Sequence, residues 1–283
     1  MQLQQVVRSE RFLSLALVAP ALLTVGLLFI YPLGFSAVSA FSGEEGGWTL
    51  DNFVKAFDFY SNDIQFTVII VALSTLFIGI LAIAIGGYLT LGDNPTAVAI
   101  LKWLYRWPLF IPFIVAGQLM RTFLAKNGLM NNLLVGSGIL EPLQTQSFLD
   151  WRGIVITFVW KQTPFVALLV AGAMATLDRS MIESARNLGA GRLRILLEII
   201  VPQVRPTIVV GLILSFVVMM SVLSVPIMIN AQTPTMLTVD MAFRINAYGD
   251  YGVANSLGFV SYLMTGVVAW IYLRQGVREG GAP

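Results

Sequence analysis

The chain has 283 residues, of which 57% are hydrophobic and only 11% are charged, and its formal net charge is +2. Soluble domains carry about 25% charged residues, so this composition excludes a water-soluble globular domain and indicates an integral membrane protein. The chain contains neither Cys nor His, which excludes disulfides, thiolate metal sites and catalysis by histidine.

Six apolar segments are long enough to cross a hydrocarbon core, which takes about 20 residues. We therefore predict an all-α polytopic membrane protein in which residues 1–283 form a single transmembrane domain. The predicted helices cover roughly residues 12–35, 64–89, 100–124, 154–177, 207–229 and 253–273.

The first segment has a second interpretation, a cleaved signal peptide. Arg8 and Arg11 precede the apolar run, and residues 38–40 would suit a signal peptidase. The apolar region of a signal peptide is usually about 7–15 residues long, whereas this run is longer and contains Pro20 and Pro32. We predict a retained helix.

Basic residues are distributed unequally between the two faces that these helices define. With the N-terminus inside, the inner set is Arg8, Arg11, Lys102, Arg106, Arg179, Arg186, Arg192, Arg194, Arg205, Arg274 and Arg278, and the outer set is Lys55, Lys126, Arg152 and Arg244. Cytoplasmic loops of membrane proteins carry the excess of Lys and Arg. We therefore predict that both termini and the segment 178–206 are cytoplasmic.

The third segment combines interfacial aromatic residues with prolines. Trp103, Tyr105 and Trp107 lie near its inner end, where amphipathic rings suit the membrane interface. Pro108 and Pro112 follow, and each lacks the N–H that continues a helix, so we predict a kink.

The segment 178–206 is a charged stretch between two apolar helices. Ser180 is predicted to cap a short helix, Ser180–Leu188, with Glu183 at the third helical position completing a capping box. Gly189 is a favoured residue just past a helix end. The same features also fit an ordinary loop whose arginines only set the topology.

The segment contains Glu183-Ser184-Ala185, then three further residues, then Gly189, and an apolar helix with a proline follows. This order resembles the EAA loop of ATP-binding-cassette (ABC) importer permeases. Ser184 replaces the middle alanine of that pattern. Other segments resemble the maltose/glycerol-3-phosphate group of sugar permeases between about residues 12 and 273: Val18-Ala19-Pro20, Tyr31-Pro32, Asp51-Asn52-Phe53, Leu109-Phe110-Ile111-Pro112, Gly128-Leu129-Met130-Asn131, Trp160-Lys161 and Pro164-Phe165. The sugar group often has a Gly-Pro-containing stretch after the fifth helix, whereas this chain has Asn230-Ala231-Gln232-Thr233-Pro234. The resemblance therefore favours a sugar or sugar derivative as the substrate, with a polyamine or another small organic solute as the alternative.

The resemblance implies a type I ABC importer permease, a multi-pass protein of the bacterial inner (plasma) membrane. Its expected partners are a second permease subunit, two nucleotide-binding ATPase subunits, an extracytoplasmic solute-binding protein and a small-molecule substrate, with no nucleic acid. The loop is then the coupling helix that docks on the ATPase subunit. The residues carried over to this role are Glu183, Ser184, Ala185, Leu188, Gly189 and Arg192.

The chain has no G-x-x-x-x-G-K-[ST] phosphate-binding loop, so the sequence predicts that it does not itself hydrolyse ATP. We expect this chain to be no enzyme and to bind no metal or cofactor. ATP and Mg²⁺ are expected in the partner ATPase subunits.

Polar groups inside a membrane are costly and usually functional. In the fourth segment Phe158, Lys161, Gln162 and Phe165 recur at spacings that place them on one helix face. The candidates for a substrate path are these four together with Ser215, Met219 and Ser224 of the fifth segment. In the alternative interpretation, Lys161 extends to the membrane surface and the serines bond carbonyls of their own helix.

Two other classes of function fit less well. An ion-coupled secondary transporter needs acidic groups within its helices, and the six apolar segments contain no Asp or Glu. A membrane-embedded enzyme would need catalytic groups, and this chain has no His, no Cys and no carboxylate pair in those segments.

Overall fold

The structure is a computed structural model that describes the backbone of residues 17–43, 46–230 and 232–279, with side chains up to residue 270. Within these ranges the chain forms helices and no β-strand. The helices are α1 Leu17–Ala40, α2 Asp51–Leu91, α3 Pro95–Leu104, α4 Phe113–Leu124, α5 Leu129–Gly136, α6 Trp151–Ala175, α7 Arg179–Asn187, α8 Arg192–Ser221, α9 Ser224–Ile229, α10 Leu237–Phe243 and α11 Tyr251–Glu279. The predicted all-α class is confirmed. Arg8 and Arg11, used to orient the first helix, lie outside the described residues.

Among the described residues, five helices are each long and apolar enough to cross a membrane: α1, α2, α6, α8 and α11. The third predicted segment differs from the expected kinked helix. Here Pro95–Phe110 and Phe113–Gly136 form a pair bent by 109°. Pro108 opens a short 3₁₀ turn and Pro112 is the N-cap of α4, so two consecutive interruptions replace one kink. The bent pair raises the number of crossings to six if it forms one span.

The second helix is longer than its apolar run predicts. α2 begins at Asp51 instead of residue 64, and the backbone N–H of Asp51 donates to the Thr49 hydroxyl at 3.1 Å. Hydropathy detects only the part of a helix that fits a hydrocarbon core. The polar first turns of α2 therefore escaped the prediction.

The described residues divide into two compact units, one drawn from 1–59 and 241–260 and the other from 60–240 and 261–283. In the first unit, Phe41 packs against Phe53 and Phe259 with ring centroids 4.8 Å and 5.6 Å apart. The buried Asn52 amide donates to the Ala40 carbonyl at 3.1 Å and to the Ser42 carbonyl at 2.9 Å. These contacts fix the turn between α1 and α2.

The core of the second unit is built from α2, α6 and α8. Close packing depends on small residues, which let membrane helices approach one another. A Cβ added at Gly211 of α8 would lie 3.2 Å from a Val166 methyl group, and one at Gly86 of α2 would lie 3.0 Å from the Met174 sulfur. The connection that carries α7 therefore begins and ends on two helices of a tightly packed core.

Candidate functional site

The short helix α7 begins one residue earlier than predicted. Its N-cap is Asp178, whose carboxylate accepts from the Ser180 backbone N–H at 2.9 Å and from the Ser180 hydroxyl at 2.7 Å. The backbone bond from Ser180, followed by the hydroxyl bond, lowers the pKa of Asp178 below its usual range. The prediction that Ser180 caps the helix is wrong, because its hydroxyl is used as a donor to Asp178. Glu183 is thus the fifth helical residue and forms no capping box.

The other end of α7 has the predicted glycine stop. Leu188 is the C-cap and Gly189 has a left-handed φ of +82°. The Gly189 N–H donates to the Arg186 carbonyl at 2.9 Å, and the Ala190 N–H donates to the Ala185 carbonyl at 3.0 Å. This pair of bonds is the Schellman motif, which closes a helix through a residue without a Cβ.

The two sides of α7 have different surroundings. Ala185 is 8% exposed and belongs to the hydrophobic core of the second unit, and Ile182 packs against the same core. Ser184 is exposed, and Leu188, one turn later, is 88% exposed. The helix is therefore held by its inner side and presents its outer side and apolar tip for contact with another molecule.

Glu183 and Arg192 are both predicted to contact an ATPase subunit. In the structure Arg192 has an ion-pair partner within the chain, and Glu183 lines a cavity. Arg192 forms a salt bridge with Asp93, in the connection between α2 and α3. Glu183 is exposed and lines a cavity of about 630 Å³ on the inner side of α7. Both side chains remain solvent-accessible, and their role in docking stays a prediction.

The predicted path residues lie mostly within the helix packing. Phe158, Ser215 and Met219 are fully buried, Lys161 and Gln162 are each 6% exposed, and Phe165 and Ser224 are half-buried. The Ser215 hydroxyl has no hydrogen-bond partner within the described residues. The alternative in which this serine bonds its own helix therefore does not hold, and the path assignment stays a prediction.

Lys161 links α6 to the break in the third predicted span. Its Nζ donates to the Leu109 carbonyl at 3.2 Å and lies 5.0 Å from the centroid of the Phe113 ring. That carbonyl cannot bond three residues ahead, because Pro112 has no N–H. Lys161 therefore does not extend to the membrane surface, which corrects the alternative interpretation of this residue.

Sequence reasoning missed two polar residues that fix the segment after α9. Asp63 of α2 is buried and accepts from the Thr235 N–H at 2.6 Å. Four residues later, the Thr67 hydroxyl accepts from the Leu237 N–H at 3.0 Å. Their spacing of one helical turn on α2 was the available signal. Without a known partner segment, that spacing does not identify what the two side chains bind.

In the described part of the chain, no group of three or more His, Cys, Asp and Glu side chains is placed to hold a metal. What the fold provides is a set of apolar spanning helices, with a short, firmly capped helix exposed between two of them. These features define a polytopic membrane protein.

Residues 83–274 match the family described as the binding-protein-dependent transport system inner membrane component, and the chain belongs to this family. It is thus an inner-membrane permease component. The sulfoquinovosyl glycerol transport system permease protein SmoG of Agrobacterium fabrum is 28% identical over 289 residues, which cover 94% of this chain and 90% of SmoG. The spermidine/putrescine transport system permease protein PotB of Escherichia coli is 27% identical over 171 residues, which cover 59% of this chain and 60% of PotB.

Among solved structures, the fold is similar to a chain of a bacterial alginate ABC transporter in complex with alginate pentasaccharide-bound periplasmic protein. The TM-score is 0.81 at 22% identity, covering 100% of this chain and 99% of that chain. The fold is therefore that of an ABC importer permease. The predicted recognition, fold class and membrane localisation are confirmed.

Proposed function

We propose that the chain is the permease subunit of an ATP-driven importer for a sugar or a sugar derivative. Similarity to the sulfoquinovosyl glycerol permease extends over 94% of the chain, whereas similarity to the polyamine permease covers 59%. The more extensive match supports the sugar class. The polyamine match makes a polyamine the second candidate.

The proposed assembly contains a second permease, two ATPase subunits at the cytoplasmic face and a solute-binding protein at the outer face. ATP and Mg²⁺ are held by the ATPase subunits, and this chain binds no cofactor. The excess of basic residues supports a cytoplasmic position for 178–206. ATP-driven closure of the ATPase pair then moves α7, and the membrane helices alternate between inward and outward exposure of the substrate.

The observation that carries this proposal is the construction of α7. Ala185 fixes its inner side in the core, while Ser184 and the 88% exposed Leu188 form an outer surface. Bonds at both ends close the helix, so a force applied to the outer surface moves the helix as a unit. In this proposal Glu183 and Gly189 support the docked position.

Substrate passage is proposed along the residues of α6 and α8 named above and Ser224 of α9. Because Phe158, Ser215 and Met219 are buried, passage requires α6 and α8 to move apart or to face a second permease after rearrangement. Gln162→Ala is expected to change the kinetics of substrate uptake without changing assembly. Unchanged uptake kinetics would remove Gln162 from the path.

The test begins with purification of the tagged permease and reconstitution with its co-purifying subunits in proteoliposomes. We expect an ATPase subunit to co-purify, and a substrate-loaded binding protein to stimulate ATP hydrolysis. Glu183→Ala should abolish that stimulation and leave membrane insertion intact. Glu198→Ala is the matched control, because Glu198 is an exposed carboxylate paired with Arg194 one turn away.

Three results would contradict the proposal. They are the absence of any co-purifying ATPase subunit, uptake driven by an ion gradient without ATP, and full stimulation in Glu183→Ala. Stimulation by a polyamine-loaded binding protein instead of a sugar-loaded one would overturn only the substrate class.

A further inference from the structure

The charged side chains that line the cavity beside α7 are mainly positive. The cavity has a volume of about 630 Å³ and lies between the ends of α2 and α6, the helix α3 and α7 itself. Its charged lining residues are Lys102, Arg106, Arg179, Arg186 and Glu183. Four cations therefore face one carboxylate in a recess whose other walls are largely apolar, and such a recess concentrates anions.

Within the described part of the chain, none of the four cavity cations forms a salt bridge. Salt bridges there join Arg152 to Asp150, Arg192 to Asp93, Arg194 to Glu198 and Arg244 to Asp250, and include none of the four cavity cations. Arg106 Nε instead donates to the Tyr105 hydroxyl at 3.1 Å. Tyr105 also lines the cavity, so its hydroxyl adds a neutral polar group beside the charges.

An exposed aromatic pair lies on the segment that supplies two of the cavity cations. Trp103 and Trp107 pack edge to face with centroids 4.7 Å apart and are 61% and 56% exposed. Trp103 follows Lys102 and Trp107 follows Arg106, so one short segment carries both a cationic pair and an aromatic pair, each with a four-residue spacing. Tryptophan at such a position is typical of the membrane interface, where an apolar body meets a polar head group.

We propose that this cavity binds the phosphate head group of an anionic phospholipid from the surrounding leaflet. The guanidinium and ammonium groups supply charge-assisted hydrogen bonds to the phosphate oxygens, and the acyl chains lie along Trp103 and Trp107. Basic pockets between helices on the cytoplasmic side suit such head groups. Inorganic phosphate can form the same hydrogen bonds as the head group but has no acyl chains to contact the tryptophans.

The bound head group would connect the end of α3 with α7, since Lys102 lies in α3, Arg106 lies two residues after it, and Arg179 and Arg186 lie in α7. Anionic lipid is thus inferred to stabilise α7 in the position from which α7 docks on the ATPase subunit. The inference concerns the lipid and does not depend on which solute is transported.

The test uses the complete purified transporter in nanodiscs of phosphatidylcholine, titrated with short-chain phosphatidylglycerol and followed by native mass spectrometry. Removing one cation that faces an anionic lipid weakens binding about fivefold, so Lys102→Gln/Arg106→Gln should weaken it about thirtyfold. Lys102→Arg/Arg106→Lys keeps both charges and should restore binding. Arg205→Gln is the matched control, since Arg205 is an exposed arginine outside the cavity lining.

A second pair of substitutions separates a lipid from a free anion. Trp103→Ala/Trp107→Ala should weaken phosphatidylglycerol binding and leave the weak binding of inorganic phosphate unchanged. Three results would overturn the proposal: equal affinity of wild type and Lys102→Gln/Arg106→Gln for phosphatidylglycerol, displacement by inorganic phosphate at the same concentration as by the lipid, and equal displacement by short-chain phosphatidylcholine. If the double glutamine variant fails to assemble, Lys102→Gln alone decides, with an expected fivefold loss.

Discussion

Gly189→Pro tests whether the closed end of α7 transmits movement. Gly189 has φ +82°, whereas a proline ring fixes φ near −65°. The substitution also removes the N–H that donates to the Arg186 carbonyl at 2.9 Å. A lost hydrogen bond costs about 1 kcal/mol, and a residue with a Cβ in the left-handed region costs about a further 1–2 kcal/mol.

The total of about 2–3 kcal/mol is a lower limit for proline, whose ring cannot adopt this φ at all, and it is enough to unwind the last turn of a short helix, which is marginal on its own. Nothing lies within 4 Å of a Cβ at Gly189, so the rest of the fold should be unaffected. We expect ATP hydrolysis stimulated by the loaded binding protein to fall at least tenfold, following the roughly 1.4 kcal/mol that corresponds to each factor of ten. Basal hydrolysis and insertion should stay at wild-type levels.

Two alanine variants make the prediction specific. Gly189→Ala keeps the N–H but meets the left-handed strain, so it should produce an intermediate loss. Gly191 has an ordinary φ of −71° and no atom within 4 Å of an added Cβ, so Gly191→Ala should behave as wild type. Full stimulation in Gly189→Pro would refute the reasoning. An equal loss in Gly191→Ala would show that any change in the loop is harmful.

Three further predictions concern residues that hold single segments. Thr67→Val keeps the shape of the side chain but leaves the buried N–H of Leu237, the first residue of α10, without its acceptor. Thermal unfolding should show that the purified transporter is destabilised by about 1–3 kcal/mol. Thr75→Val is the control and should have little effect, because the Thr75 hydroxyl only donates to a carbonyl of its own helix. Asn131→Ala removes a buried amide that lies 3.1, 3.0 and 2.8 Å from three backbone carbonyls, and should expose the segment 125–151 to protease, whereas the exposed Asn132→Ala should not. The lowered pKa of Asp178 means that its cap is fully formed above the usual aspartate range, near pH 4, and is lost as pH falls through the lower folded pKa. The amide exchange rate of α7, corrected for the intrinsic effect of pH on exchange, should therefore be constant between about pH 8 and 5 and increase below about pH 4. A corrected rate that stays constant at low pH would contradict this prediction, and so would an unchanged pH profile in Asp178→Ala.

The helical class and most spans could be predicted because a long apolar run leaves few alternatives in a membrane. The glycine stop at Gly189 was equally readable, since a helix end in the left-handed region favours glycine. The N-cap was not. Asp178 and Ser180 are both good caps two residues apart, and only the extended backbone of Asp178, φ −67° and ψ 119°, selects between them.

The bend in the third span illustrates a second limit. Its prolines indicate an interruption, but its size is set by contacts that are distant in sequence. Lys161 bonds the carbonyl of Leu109 across 52 residues, and Arg121 of α4 donates to the Met228 carbonyl across 107 residues. No local pattern identifies these partners. The burial of Ser215 and Met219 likewise depends on how α6 and α8 pack.

The contact between Lys161 and Leu109 suggests a mechanical role for α6 in addition to lining a substrate path. α6 is continuous through Pro164, and Lys161 lies about 20 Å along the axis from the end that joins α7, at 1.5 Å per residue. One end of α6 thus joins the helix that is proposed to meet an ATPase subunit, and its middle is bonded to the broken span. If α7 moves, a single continuous helix connects it to the break at Leu109. Because packed helices shift between discrete arrangements more readily than they deform, we expect the break to accommodate such a shift.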